Sequence, residues 1–232
     1  MGSTGKITNS SYTELYDLAR DMAYDSATMK FESPSLDRWF ADNSNREEWV
    51  DGLSEDEREY IADFTGTGYV GINNDLYKKD WDDISEGRRE FIEAMDEALG
   101  RFELKKGITV DRNCNFEIFG SGKRMSVDEL KDYFVKNGTT LQNNAFMSFS
   151  AKKGQAYVFG SPLIIELDIP ASKGAGAYIG TLSYHEDEQE FILNRNAVLN
   201  FDPNSIYEDK DGSVHIRATW VGKANKRAQG VI

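Results

Sequence analysis

Three groups of residues in the second half of the chain have types and spacing that could do chemistry. Arg112 follows the short apolar run Ile108-Thr109-Val110. A guanidinium offers a planar fork that grips phosphate or carboxylate oxygens in pairs. Ser148 and Ser150 stand two apart in Phe146-Met147-Ser148-Phe149-Ser150, so an extended backbone puts both hydroxyls on one face. Glu188-Gln189-Glu190 leads into Phe191-Ile192-Leu193. Paired carboxylates suit acid–base work and the stabilisation of a cationic transition state. Taken singly, each group is weak. A lone Arg at a strand end is usually surface, Ser-x-Ser is usually a polar edge, and 40 acids in 232 residues give about seven acid-x-acid pairs by chance. Order and spacing carry more: Arg, then Ser-x-Ser 36 residues on, then Glu-x-Glu 40 beyond that.

The elements that must position these residues change character midway. In the first half, Leu15, Leu18, Ala19 and Met22 recur at helical spacing within 12–27. Ser54-Glu55-Asp56-Glu57 has the pattern of a capping box. Helical periods continue over 68–77 and 85–102, the second with Phe91, Met95, Ala98, Leu99 and Phe102 on one stripe and Ser85 as its cap. A last helix is predicted over 126–135, ended by Gly138. Strand-like runs follow at 145–148, 163–169, 175–179, 191–193, 197–201 and 214–221, separated by turn signals such as Lys153-Gly154, Asp202-Pro203-Asn204 and Asp211-Gly212. Ile164, Ile165, Leu167 and Ile169 read as a strand buried on both faces. Helices first and strands after predict an α+β chain, with a helical part over 1–104 and a strand-rich catalytic core over 105–232. The literal G-x-G-x-x-G at 66–71 lacks the preceding buried strand that a dinucleotide-binding βαβ unit requires, so it is set aside.

Charge and composition narrow the classes. The net charge is −13, but residues 1–104 hold 25 acids against 11 bases, while 105–232 hold 15 against 16. Whole-chain acidity disfavours a nucleic-acid acceptor without excluding one, because the strand-rich half is near neutral and closes with Lys223, Lys226 and Arg227. One cysteine, Cys114, rules out a disulfide framework and a cysteine-based zinc site. Neither His185 nor His215 has partners at metal-ligand spacing, so no metal is expected. No apolar run approaches the roughly 18 residues of a membrane span, and the first residues lack a signal-peptide core.

The ordered set Arg112, Ser148-Phe149-Ser150 and Glu188-Gln189-Glu190 resembles the Arg–Ser–Glu signature of mono-ADP-ribosyltransferases. Tyr60 to Tyr69 with Ile72-Asn73-Asn74-Asp75-Leu76 is similar to a helix pair in the enzymatic components of clostridial and bacillar binary toxins. Phe159-Gly160-Ser161 with Leu163 to Leu167, and Gly174-Ala175-Gly176-Ala177-Tyr178-Ile179, resemble two further segments of theirs. Phage-encoded transferases share the signature. The resemblance covers residues 45–221.

It implies helices packed on a two-sheet, mostly antiparallel β core with a cleft for NAD+ between the sheets. It implies transfer of ADP-ribose from NAD+ to a protein side chain, with no metal. By resemblance Glu190 stabilises the oxocarbenium-like ribose and bonds its hydroxyl, Arg112 takes the diphosphate, and Ser148 holds Glu190 or the ribose. Ser150 supports the strand and Phe159 stacks on nicotinamide. Glu188, the first of the Glu-x-Glu pair, implies arginine as acceptor, since a guanidinium with pKa above about 12 needs help to lose its proton. The loop from Thr181 to Asp187 implies target recognition, with Tyr184 or His185 as its aromatic. Phe149 stands where relatives have Thr, which weakens the inner hydrogen-bond network. The implied protein is a monomeric toxin, effector or phage factor acting in the cytosol of a target or host cell. An NAD glycohydrolase and a non-catalytic NAD-binding module on the same fold are the alternatives.

Overall fold

The computed structural model describes residues 33–152, 162–185 and 188–224. The helix read over 12–27, the stacking candidate Phe159, the Lys153-Gly154 turn, and Lys226 and Arg227 lie outside the described residues.

Five helices open the described chain: α1 (Ser33–Asn43), α2 (Arg46–Asp51), α3 (Glu55–Asp63), α4 (Tyr69–Lys78) and α5 (Glu86–Gly100). The Ser54 hydroxyl accepts from the Glu57 N–H while the Glu57 carboxylate accepts from the Ser54 N–H, so the predicted capping box starts α3. Ser85 occupies the cap position of α5 but its side chain makes no capping bond. Along α5 it is Ile92, Met95, Ala98 and Leu99 that are buried, and Phe91 is only partly so, its ring packing on Tyr60 of α3 at 4.6 Å with 38° between planes. The Glu57 carboxylate also pairs with Arg101 at 2.7 Å, tying the start of α3 to the end of α5.

The glycines at 66–71 do not form the strand-to-helix turn of a dinucleotide-binding unit. They build a kinked π-like turn, Phe64–Gly68, that joins α3 to α4, with Gly66 at ψ −106°. A Cβ at Gly68 would sit 2.7 Å from the Asp63 carbonyl, and one at Gly71 would sit 2.7 Å from the Arg88 guanidinium. At Gly68 the obstacle is backbone, so close packing requires glycine there, whereas at Gly71 the Arg88 side chain could give way.

The strands are β1 (Glu103–Leu104), β2 (Ile108–Cys114), β3 (Thr140–Asn143), β4 (Met147–Ser150), β5 (Leu163–Ile169), β6 (Ser172–Lys173), β7 (Gly176–Tyr178), β8 (Glu190–Leu193), β9 (Ala197–Glu208) and β10 (Val214–Lys223), with helix α6 (Val127–Asn137) before β3. Eight of them form one sheet in the order β3-β9-β10-β5-β2-β4-β8-β7, and β1 pairs with β6. Among the described residues only β5 and β10 run parallel; the other pairings are antiparallel. Helices in front of a mostly antiparallel core make the α+β architecture the sequence predicts. The two sheets expected are halves of one: β2 pairs with β5 through seven residues but with β4 only at Asp111↔Ser150. There the sheet divides into β3-β9-β10-β5-β2 and β4-β8-β7.

Two local readings change. Arg112 lies inside β2 rather than after a strand, opposite Ile165 of β5. Asp202-Pro203-Asn204 does not end a strand, because β9 continues to Glu208 with a register shift against β10 at this point. The turn chemistry is still there, as the Asp202 carboxylate accepts from the Asn204 N–H at 2.9 Å. Proline is tolerated because β3 pairs with β9 only over 197–200, leaving this stretch without a second neighbour.

One continuous core joins both halves, with Phe40, Trp49, Phe64 and Phe102 from the helical side meeting Phe146, Tyr178 and Phe191 from the sheet. In β5 the run of buried residues includes Glu166, 1% exposed, facing the buried His215 at 3.8 Å. His215 also meets Asp209 at 2.9 Å and stacks on Tyr207, a packed position far from a ligand role.

Candidate active site

The cleft forms where the sheet divides. Its wall on one side is the π-like turn and the first turns of α4, and on the other β2, β4 and the chain leading into β8. Phe64, Thr65, Gly66, Tyr69, Asn73, Asp111, Arg112, Asn113, Ser148, Phe149, Ser150, His185, Glu188 and Glu190 enclose about 360 Å³. Arg112, Ser148, Ser150, Glu188 and Glu190, scattered over some eighty residues of sequence, therefore share one cavity. A second cavity of about 720 Å³ adjoins it, with Arg112 and Asn113 common to both and Tyr77, Asn115, Gly120 and Met147 among its other walls.

Each side chain is placed by its strand. Ser148 and Ser150 alternate on β4 and pair with Ile192 and Glu190 of β8. The Ser148 hydroxyl hydrogen-bonds the Glu190 carboxylate. The Ser183 hydroxyl donates to Glu190 Oε2 at 3.5 Å, and the Ser150 hydroxyl donates to the Glu188 carbonyl at 2.8 Å. Arg112 Nη1 donates to the Ser148 carbonyl at 2.6 Å. Glu190 is 6% exposed. Burial pushes its carboxyl above the usual carboxylate range and the nearby Glu188 adds to that, while the Ser148 and Ser183 hydroxyls and Arg112 pull the other way.

Glu188 reaches this cleft by a different route from simple strand alternation. β8 begins at Glu190, and Gln189 has φ +49°, so the backbone between the glutamates is left-handed rather than extended. The Glu188 N–H donates to the His185 carbonyl, which closes a short turn ahead of β8. Of the two loop aromatics, His185 lines the cleft, whereas Tyr184 is 65% exposed. The Tyr184 N–H donates to Thr65 Oγ1 at 3.0 Å, and a Cβ at Gly66 would lie 3.1 Å from its ring. The turn between α3 and α4 thus carries this loop.

Some residues of the cleft were not singled out from the sequence. Asn73 clamps β4's approach: its Nδ2 donates to the Phe146 carbonyl at 3.0 Å and its Oδ1 accepts from the Phe146 N–H at 3.2 Å. Ser183 sits in a loop with no periodic signal. Cys114 faces the larger cavity, and burial holds its thiol above the ordinary range, which suits a packed rather than a nucleophilic cysteine. Among the described residues no cluster of His, Cys, Asp and Glu is arranged to hold a metal ion, and no helix is long and apolar enough to cross a membrane.

A sheet that opens between two strands, with an Arg, a Ser and a buried Glu around the gap, defines the class of protein. The family model for ADP-ribosyltransferase exoenzymes matches residues 37–221, and the chain belongs to that family. An NAD(+)–arginine ADP-ribosyltransferase of Enterococcus faecalis is 24% identical over 196 aligned residues, taking in 71% of this chain and 37% of that protein. The chain thus spans little more than a third of that curated relative. Among solved structures, Plx2a, an ADP-ribosyltransferase toxin from Paenibacillus larvae, superposes with TM-score 0.69 at 22% identity, over 82% of this chain and 96% of that one. BECa, an ADP-ribosylating toxin of a binary enterotoxin of C. perfringens solved with NADH, gives TM-score 0.67 at 21% identity, over 82% and 48%. C3stau2 from S. aureus, solved with NAD, gives 0.59 at 21%, over 76% and 94%. These structures share the fold.

Proposed function

We propose that this chain transfers ADP-ribose from NAD+ to arginine side chains of a target protein and releases nicotinamide. The observation that carries the reading is the pair Glu188 and Glu190 in one cleft with Arg112 and Ser148. Family membership and the arginine-specific relative support it.

The paired cavities fit an elongated dinucleotide whose diphosphate lies at their junction, where Arg112 stands. Arg112 takes phosphate oxygens through its fork. The C–N bond between ribose and nicotinamide breaks with its electron pair going to the nicotinamide nitrogen, so the leaving group departs neutral and needs no acid. Positive charge grows on the ribose, and the Glu190 carboxylate, fixed by Ser148, stabilises it without reorganising. Ser150 fixes the backbone ahead of Glu190 through the Glu188 carbonyl. An acceptor guanidinium nitrogen then attacks the anomeric carbon, and Glu188 takes the proton it sheds.

Phe159 is assigned the nicotinamide stack by resemblance alone. Tyr184 and His185 are assigned the target surface. The remaining parts of the reading are a monomeric toxin, effector or phage host-modifying factor, with a protein rather than a nucleic acid as acceptor, acting in the cytosol of the cell it modifies.

The test is direct. Purified protein with labelled NAD+ and agmatine, an arginine analogue, yields labelled agmatine and free nicotinamide. Label on cysteine or asparagine acceptors and never on agmatine overturns the arginine assignment. Nicotinamide release without any labelled acceptor in a host lysate favours the glycohydrolase instead.

A further inference from the structure

The backbone between Glu188 and Glu190 leaves extended geometry at Gln189, although the Gln189 carbonyl still accepts from the Ala151 N–H at 2.9 Å and the Glu188 carbonyl from the Ser150 hydroxyl at 2.8 Å. Gln189 is left-handed, at φ +49°, a conformation that side-chain-bearing residues rarely adopt. Its side chain is buried, 4% exposed, and is not among the residues lining the cleft. It is held from behind, where the Tyr178 hydroxyl donates to Gln189 Oε1 at 2.5 Å. Tyr178 ends β7, is fully buried, and is itself fixed by the helical half. Phe40 of α1 stacks on its ring at 3.9 Å with 5° between planes, and the Arg46 guanidinium of α2 lies over the ring at 5.3 Å. Arg46 in turn pairs with Asp37 of α1 at 3.3 Å. Burial, and then Asp37, push the phenol above its ordinary range, so it remains a donor at any working pH. The chain passes this cluster as glycine: Gly180 has φ +46°, and a Cβ there would lie 2.7 Å from the Arg46 guanidinium and 2.9 Å from the Asp37 carboxylate. The order of contacts runs from the two helices, through Tyr178, to the residue between the two glutamates.

We propose that Tyr178 is a positioning residue for the glutamate pair: its bond to Gln189 holds the left-handed turn that brings Glu188 into the cleft of Glu190, and so sets the partition between transfer to an acceptor and hydrolysis by water. This rests on the arginine-transferase reading above. Glu190 is held independently, since its N–H and C=O belong to β8 and its carbonyl accepts from Ile179 at 3.1 Å. The Glu188 main chain keeps its bonds to Ser150 and His185, so loss of the tether changes the aim of the Glu188 side chain before it disturbs Glu190.

The experiment measures nicotinamide release without acceptor and transfer to agmatine, side by side, for wild type, Tyr178→Phe, Gln189→Met and the double variant. The transfer-to-hydrolysis ratio falls about tenfold in each single variant, with KM for NAD+ changed less than about twofold. The double variant falls no further than the singles, because both delete the same bond. An unchanged ratio in Gln189→Met at an unchanged melting temperature overturns the proposal. So do losses that multiply in the double variant. Tyr178→Phe keeps the stacked ring; if it nevertheless fails to fold, Gln189→Met alone decides by the same ratio. A wild-type protein that releases no nicotinamide overturns the parent reading as well, whereas an active wild type with an insensitive ratio overturns only this one.

Discussion

Arg112 Nη1 donates to the backbone carbonyl of Ser148 across 2.6 Å, so the guanidinium assigned to the diphosphate also bridges β2 and β4. Those strands are otherwise joined by the single registered pair Asp111↔Ser150. A sheet opened into a cleft loses ladder hydrogen bonds on both lips, and buried backbone groups left there need other partners. Arg112 supplies one of these and keeps donors for a ligand.

Arg112→Lys tests this double duty. A lysine retains charge but loses the fork, so phosphate is met as a point charge and the Ser148 carbonyl loses its geometry. KM for NAD+ rises by about tenfold or more, and thermal stability falls by about 1 kcal/mol. Both are read from steady-state kinetics and a melt. An unchanged KM would remove Arg112 from the diphosphate.

The two glutamates divide the labour. Glu190→Ala lowers both NAD+ hydrolysis and transfer by about two to three orders of magnitude while the fold persists. Glu188→Ala keeps hydrolysis within a few-fold and loses transfer. Equal loss of both reactions in Glu188→Ala would refute the assignment of the acceptor's proton to Glu188.

The buried Glu190 carboxyl also predicts a pH dependence. Its folded-state pKa lies above the ordinary value of 4.5, chiefly through burial. Below the ordinary range it is protonated in both states and costs nothing. As pH rises from the ordinary value to the raised one, the unfolded state ionises while the folded state keeps its proton, so stability falls across that window and then levels off with a buried charge in the folded state. Glu190→Gln therefore melts higher than wild type at pH 7. The gap closes as the pH falls to the ordinary carboxylate range. Wild-type hydrolysis of NAD+ loses its rate on the acid side at a pH above 4.5, since the ionised form is required. A gap that widens on acidification has the wrong sign for this account.

Asn73→Ala removes the clamp on both backbone groups of Phe146, which is 1% exposed. Leaving a buried N–H and C=O without that partner costs about 1–3 kcal/mol. Urea unfolding at two temperatures measures it. Activity falls along with stability because Ser148 sits two residues beyond the clamped peptide.

The sequence by itself determined the helices-first, strands-after layout, the capping box at Ser54, most of the apolar stripe of α5 and the residue types at the cleft, but not α1, α2 or the short strands β1, β3 and β6. The features it determined are local properties, set by periodicity, caps and side-chain chemistry within a few residues. Its signature also picked out Arg112, Ser148 and Glu190, which the fold brings to one cleft. What only the tertiary structure decided is how they meet. Arg112 is mid-strand because β5 extends its pairing beyond the apolar run, and periodicity cannot see a partner strand 50 residues away. Pro203 sits within a strand because β3 stops short of it. Asn73 and Tyr178 fall in segments covered by the resemblance, but their partners, the backbone before β4 and the side chain of Gln189, are brought to them only by the fold. The Glu188–Glu190 pair is the sharpest case. Alternation along an extended chain predicts a shared face, yet here that face is reached through a left-handed Gln189, whose conformation is fixed by contacts eleven or more residues distant rather than by its own preference.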